Sequence, residues 1–247
     1  MFSKKEKVEL TDEEYRIRYQ TMYKDYIDFE DPANTVNKYS DGAHRYEEEI
    51  EALGYSTPKH IARMTLELLG DNNVSTARIL DAGCGTGLVA DHLIHLGFKG
   101  TLDGFDGGAK MVEIAANKNI YSRVETMFLV RGKESVDFES SKYDACVASG
   151  VFTMGHVYPT ALKELIRCLK PGGIMLFTSR KNPQGMEYFN SVVDMVNSLE
   201  AEGTWKKIKV VEEEYFDRDC CTLNVVLGPD GKPPPVKCNV FCYRKSL

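Results

Sequence analysis

Arg78-Ile79-Leu80-Asp81-Ala82-Gly83-Cys84-Gly85-Thr86-Gly87-Leu88-Val89-Ala90 reads as a short apolar strand, a G-x-G-x-G turn and the opening of a helix. Glycines at such a junction let the backbone touch a ligand, because no Cβ intervenes and φ > 0 is open to them. The ligand then sits beyond the carboxyl end of the strand, where open α/β sheets bind cofactors. A nucleoside-type cofactor site is therefore expected. A dinucleotide site needs G-x-G-x-x-G, with its third glycine where Leu88 stands. A P-loop needs Gly-Lys-Ser/Thr after its turn, and that sequence is missing here. Asp81, two residues ahead of the first glycine, would repel a phosphate and suits a ligand with a positively charged portion.

These residues resemble the first motif of class I S-adenosylmethionine-dependent methyltransferases, and the likeness continues downstream. Asp103-Gly104-Phe105-Asp106-Gly107-Gly108-Ala109-Lys110-Met111 is similar to the family's second strand and the helix after it. Leu169-Lys170-Pro171-Gly172-Gly173 resembles the turn into the fifth strand. Within the superfamily, Tyr39, Tyr46-Glu47, Gly87-Leu-Val-Ala90 and Gly150-Val-Phe-Thr-Met-Gly-His-Val157 resemble the methyltransferase-like proteins of the Williams–Beuren syndrome region. The resemblance implies a Rossmann-like, seven-stranded, mostly parallel sheet with helices on both faces. It also implies an N-terminal helical extension over residues 1–57 acting as a cofactor lid, ahead of a methyltransferase domain over 58–247. S-adenosylmethionine is the implied cofactor.

The rest of the chain agrees. Helix and strand signals alternate, as a parallel sheet requires. Thr11-Asp-Glu-Glu14 is a capping box opening a helix that runs to about Phe29. Asp31-Pro32 is read as a break, with a second helix over about 36–53. Thr57-Pro58 supplies an N-cap with proline at the first helical position. Strands are expected near 78, 100–105, 125–130, 143–149, 173–179, 208–216 and 236–244. The intervening helices fall near 87–96, 108–117, 159–169 and 186–202, and Gly228–Pro235 is a turn or exposed loop.

At 247 residues the chain suffices for one large α/β domain. Its net charge of −6, with scattered Lys and Arg, argues against a nucleic-acid partner. The polar start Met1–Lys7 gives no signal-peptide core, and no apolar run approaches the roughly 18 residues of a membrane span. A cytoplasmic location is expected, with no membrane partner; oligomeric state is not legible. The seven cysteines are read as buried thiols, since Cys220, Cys221, Cys238 and Cys242 match no common zinc spacing, and no metal is expected.

The family likeness carries roles to individual residues. Gly83, Gly85 and Gly87 would lie against the methionine and ribose portions, with Asp81 facing the ammonium group. Asp106 ends the second strand, with Gly107 next to it, and a carboxylate there can accept from two vicinal ribose hydroxyls. Met111 either covers the adenine or belongs to the core. An acid usually contacts the adenine amino group after the third strand. Lys133 stands at that place here, so the backbone of Gly132, Lys133 and Glu134 is the candidate. Ser149 and Gly150 would floor the methyl site, and Tyr39 lies on the lid with Tyr46. His156 is the candidate general base, because an imidazole titrates near neutral pH; Tyr158, Tyr39 and Tyr46 are alternatives. A small-molecule methyl acceptor is the favoured partner. Protein or RNA methylation and a non-catalytic cofactor-binding scaffold are the competing readings. The Asn-Pro-Pro-Tyr type of motif is replaced by Gly150-Val-Phe-Thr153.

Overall fold

The computed structural model describes residues 10–70, 73–129, 136–181, 183–218 and 234–247. Its centre is a seven-stranded sheet in the order β3-β2-β1-β4-β5-β7-β6. The strands are β1 (Arg78–Ala82), β2 (Thr101–Asp106), β3 (Arg123–Thr126), β4 (Tyr143–Phe152), β5 (Leu169–Lys181), β6 (Trp205–Phe216) and β7 (Val236–Lys245). Strands β1 to β5 pair in parallel, while β7 runs antiparallel to both β5 and β6. Only β7 therefore opposes the common direction, and the sheet is mostly parallel as expected.

Side-chain alternation along each strand divides the core into two layers. Ile79, Val147, Ile174 and Leu176 face one side, under α3 (Thr57–Leu69) and α4 (Leu88–His95). Leu80, Cys146, Met175 and Phe177 face the other, under α6 (Leu162–Cys168) and α7 (Met186–Ala201). Helix α5 (Ala109–Asn117) packs on β2 and β3. The N-terminal helices α1 (Asp12–Tyr26) and α2 (Pro32–Ala52) lie over the ends of β6 and β7. There Tyr15, Tyr19 and Tyr26 cluster with Tyr215, Phe216 and Cys238.

The capping box forms: Glu14 N donates to Thr11 Oγ1 at 3.3 Å, and Thr11 N donates to Glu14 Oε2 at 2.9 Å. Two expectations are corrected. Asp31-Pro32 does not break a helix but starts one. Asp31 accepts from Ala33 N at 2.9 Å, and Pro32 occupies the first turn, where a missing N–H costs nothing. Thr57 is not the cap of α3, because Ser56 takes that position; the Thr57 hydroxyl turns away to Ser149 Oγ, 2.9 Å distant. Strand β4 is also longer than expected, running past Gly150 to Phe152 with an irregularity in its pairing to β5. Most of the expected 228–235 loop, and Cys220 and Cys221, lie outside the described residues. No helix among the described residues is long and apolar enough to cross a membrane.

Candidate active site

The strand order reverses between β1 and β4, so their carboxyl ends splay apart and open a crevice. The glycine loop enters it from β1. Gly83, Gly85 and Gly87 have φ of 65°, 54° and 93°, values that a side chain would strain. A Cβ on Gly83 would come within 2.4 Å of Val151 Cγ2, whereas one on Gly85 would meet open space. The loop is tied down from β2. Asp106 Oδ2 accepts from Gly85 N at 2.9 Å, and its Oδ1 accepts from Gly108 N at 2.8 Å. Enclosure pushes the Asp106 carboxyl upward, and those two backbone N–H groups pull it back. Each oxygen keeps a further lone pair for a ligand hydroxyl.

Asp81 is deeper, at 1% exposure. Its Oδ2 accepts from the Tyr121 hydroxyl at 2.7 Å, while Oδ1 is buried with no hydrogen-bond partner. Burial raises this carboxyl to about 7, against the lowering effect of Tyr121. The Tyr121 ring fills the space that a Cβ on Gly104 or Gly87 would need, so it props the loop from beneath.

A cavity of about 140 Å³ runs from this loop toward the N-terminal helices. At one end it is walled by Gly83, Gly85, Asp106, Gly107 and Met111, with Phe128 beside them. At the other stand Tyr39, Tyr46, Tyr55, His156 and Tyr215, and Ser149 and Gly150 lie between. Helix α2 is the roof, pinned to α5 by Lys110 Nζ on Asp41 at 2.9 Å and Lys118 Nζ on Glu47 at 2.7 Å. Lys118 also pairs with Asp91. Gly150, at φ 73°, turns the chain so that its N–H donates to Thr178 Oγ1 at 2.8 Å. A Cβ there would collide with the Tyr55 hydroxyl at 2.4 Å.

The tautomer of His156 follows from its neighbours. Nδ1 lies 3.2 Å from the Met154 carbonyl oxygen, which can only accept, so Nδ1 carries the proton. Nε2 is then the acceptor for the Tyr39 hydroxyl at 3.0 Å. Enclosure lowers the imidazole to about 4, and its hydrogen bond to Met154 offsets this only in part. The ring is neutral at physiological pH.

The cavity thus brings together Tyr39, Gly83, Gly85, Asp106, Gly107, Met111, Ser149, Gly150 and His156. Asp81 and Gly87 sit behind its wall rather than in it. Gly132, Lys133 and Glu134 lie outside the described residues. Sequence reasoning missed Tyr55, Tyr121 and Tyr215, whose roles depend on contacts between distant segments. The one available signal was Tyr121, two residues before β3, where an aromatic ring can reach back across β2 to β1.

Comparison with known proteins agrees with this arrangement. A family model described as a methyltransferase domain matches residues 79–173, from β1 into β5. Human methyltransferase-like protein 27 is 32% identical, over 71% of this chain and 70% of its own length. The chain is a class I S-adenosylmethionine-dependent methyltransferase. This methyltransferase is also 30% identical to the ubiquinone biosynthesis O-methyltransferase of Dinoroseobacter shibae, over 65% of each protein. Among solved structures, a methyltransferase from Thermotoga maritima, titled a possible histamine N-methyltransferase, superposes with a TM-score of 0.55. It covers 85% of this chain and 98% of its own at 16% identity, a likeness of fold alone.

Proposed function

We propose that this chain moves a methyl group from S-adenosylmethionine to a small-molecule acceptor held beneath helix α2. The observation that carries this reading is the single cavity linking the glycine loop to the tyrosine-lined chamber around His156. Its walls are largely apolar and aromatic with a few convergent polar groups, the usual make-up of a small-ligand site. The name of the related O-methyltransferase, which places it in ubiquinone biosynthesis, points the same way.

The residues fit the cofactor. Open space above Gly85 admits a ligand against the backbone, and the orphaned Asp81 Oδ1 suits an ammonium group. Asp106 would accept from the ribose hydroxyls, while Met111 and Phe128 offer apolar surface to the adenine. When bound, S-adenosylmethionine supplies an electrophilic methyl group on a sulfonium.

This chain's own work is then to orient the acceptor, exclude water and take a proton. Positioning of that kind can contribute roughly 7–11 kcal/mol at best. Tyr39 can accept a hydrogen bond from the acceptor while its own proton lies toward His156 Nε2. An imidazole held at about 4 cannot ionise an alcohol in advance. It takes the proton through Tyr39 only as the nucleophilic atom becomes acidic on gaining the methyl group.

The reading is tested by incubating the protein with S-adenosylmethionine carrying a labelled methyl group and a cell extract, then separating small molecules from macromolecules. Label is expected in the low-molecular-weight fraction. Label confined to protein or RNA would replace this reading, and absence of label with intact cofactor binding would favour a scaffold.

A further inference from the structure

The sheet ends in two unlike edges. One is β3, four residues long; the other is β6, which runs for twelve. A long edge strand shows unpaired backbone N–H and C=O groups to solvent, and it accepts another strand unless something blunts it. Contacts within the chain close the two ends of this one. Lys207 N donates to Glu200 Oε1 at 2.8 Å. Ser56 donates from Oγ to the Glu214 carbonyl at 2.7 Å, and from N to the Tyr215 carbonyl at 3.2 Å. Between these ends, among the described residues, the backbone of 208–213 hydrogen-bonds to β7 alone.

Charge along this edge changes sign at its middle. Lys206, Lys207 and Lys209 come first, then Val210 and Val211, then Glu212, Glu213 and Glu214. Charges of one sign would repel a second copy and blunt the edge. A sign that reverses midway repels a parallel copy and attracts an antiparallel one, because opposite charges then face each other across the strands.

The pairing with β7 supplies the spacing. Lys207 stands opposite Tyr243, Val211 opposite Val240 and Glu214 opposite Lys237, with Ile208 passed over at an irregularity. Lys207 and Glu214 therefore lie equally far to either side of Val211 along the ladder, on one face of the sheet. Lys209 and Glu213, opposite Cys242 and Cys238, are likewise symmetric about Val211, on the other face. A twofold axis beside Val211 sets Lys207 against Glu214 of the second copy, and Lys209 against Glu213, each pair occurring twice. Lys209 and Glu213 already reach α3, at Glu67 (3.6 Å) and Arg63 (3.2 Å). Lys207 and Glu214 are exposed and make no ion pair among the described residues, so the new attraction falls to them.

We propose that β6 is a homodimer interface, where two copies pair antiparallel about Val211 and join their sheets into one. This assignment is independent of the methyltransferase reading. The interface adjoins the acceptor chamber, since Tyr215, the residue after Glu214, lines its wall.

Sedimentation of the purified full chain, at concentrations up to about 100 μM, tests the proposal. The wild-type protein should run as a dimer. Glu214→Lys sets a lysine against Lys207 of the other copy twice over and should raise the dissociation constant at least about tenfold. Adding Lys207→Glu reverses both signs and should return the constant to within about threefold of wild type. Thermal unfolding checks that each variant is folded. Hydrogen exchange of the wild-type protein locates the contact without any variant: amides within 208–214 should slow as monomer becomes dimer. A wild-type protein that stays monomeric throughout refutes the interface. So does a dimer that Glu214→Lys leaves intact, one that the double reversal fails to restore, or one whose slowed amides all lie outside β6.

Discussion

Replacing Asp106 by asparagine probes two tasks of one carboxylate: tying the glycine loop and, on the proposed reading, accepting from the ribose hydroxyls. Both of its oxygens accept from backbone N–H groups, Gly85 in the glycine loop at 2.9 Å and Gly108 just after β2 at 2.8 Å. Asparagine fills the same volume but offers one acceptor oxygen and one NH₂ group. In either orientation, one of those backbone donors faces another donor. The loss is one charge-assisted hydrogen bond, about 1.5–3 kcal/mol. At this chain length that corresponds to a fall in Tm of roughly 3–12 °C. A ligand diol loses one of its two carboxylate contacts as well, so S-adenosylhomocysteine should bind at least about tenfold more weakly, near 1.4 kcal/mol. Calorimetric titration and thermal unfolding read the two effects separately. An affinity within about twofold of wild type, with Tm unchanged, would show that Asp106 neither ties the loop nor reads the ribose.

Gly150→Ala should cost more stability than Gly70→Ala: both positions have positive φ, 73° and 75°, but only Gly150 would press a Cβ on Tyr55. Equal losses in thermal unfolding would refute the close approach. Asp81 predicts a pH dependence. Its folded carboxyl near 7 lies above the ordinary 3.8, so its contribution to stability is complete below the unfolded value and is lost as pH climbs through about 7. Asp81→Asn should remove that decline from unfolding curves, whereas an identical decline in the variant would assign it to another group. Ligand ammonium favours the ionised form, so S-adenosylhomocysteine affinity should rise between about pH 6 and 8, and a flat profile would contradict the placement of Oδ1. His156→Ala should leave S-adenosylhomocysteine affinity within about threefold while lowering turnover at least about tenfold once an acceptor is in hand. Wild-type activity should show no inflection at the ordinary histidine value of 6.5, because the folded imidazole lies near 4.

The glycine loop and Asp106 were legible because their chemistry is local: strand, turn and helix follow one another within thirteen residues of sequence. The seven-stranded, mostly parallel sheet followed from the same likeness, whereas the order of its strands did not. The chamber around His156 was not legible beyond His156, Tyr39 and Tyr46. Tyr55 and Thr57 meet Ser149 across more than ninety positions, and Tyr215 arrives from β6, so no spacing rule places them together. Asp31-Pro32 was misread because proline both ends and begins helices, and only the Asp31 cap distinguishes the two. Thr57 carries a capping residue's chemistry, yet Ser149 competes for its hydroxyl, a tertiary contact overriding a local preference.

The central claim is that this fold binds S-adenosylmethionine through the Gly83–Gly87 loop and Asp106. Calorimetric titration of the purified protein with S-adenosylmethionine, S-adenosylhomocysteine and NAD in parallel tests it most directly. The account predicts saturable, micromolar-range binding of the two sulfur ligands, lost by at least about tenfold in Asp106→Ala, and no response to NAD. Binding of NAD, or no binding of either sulfur ligand by the wild-type protein, would contradict it.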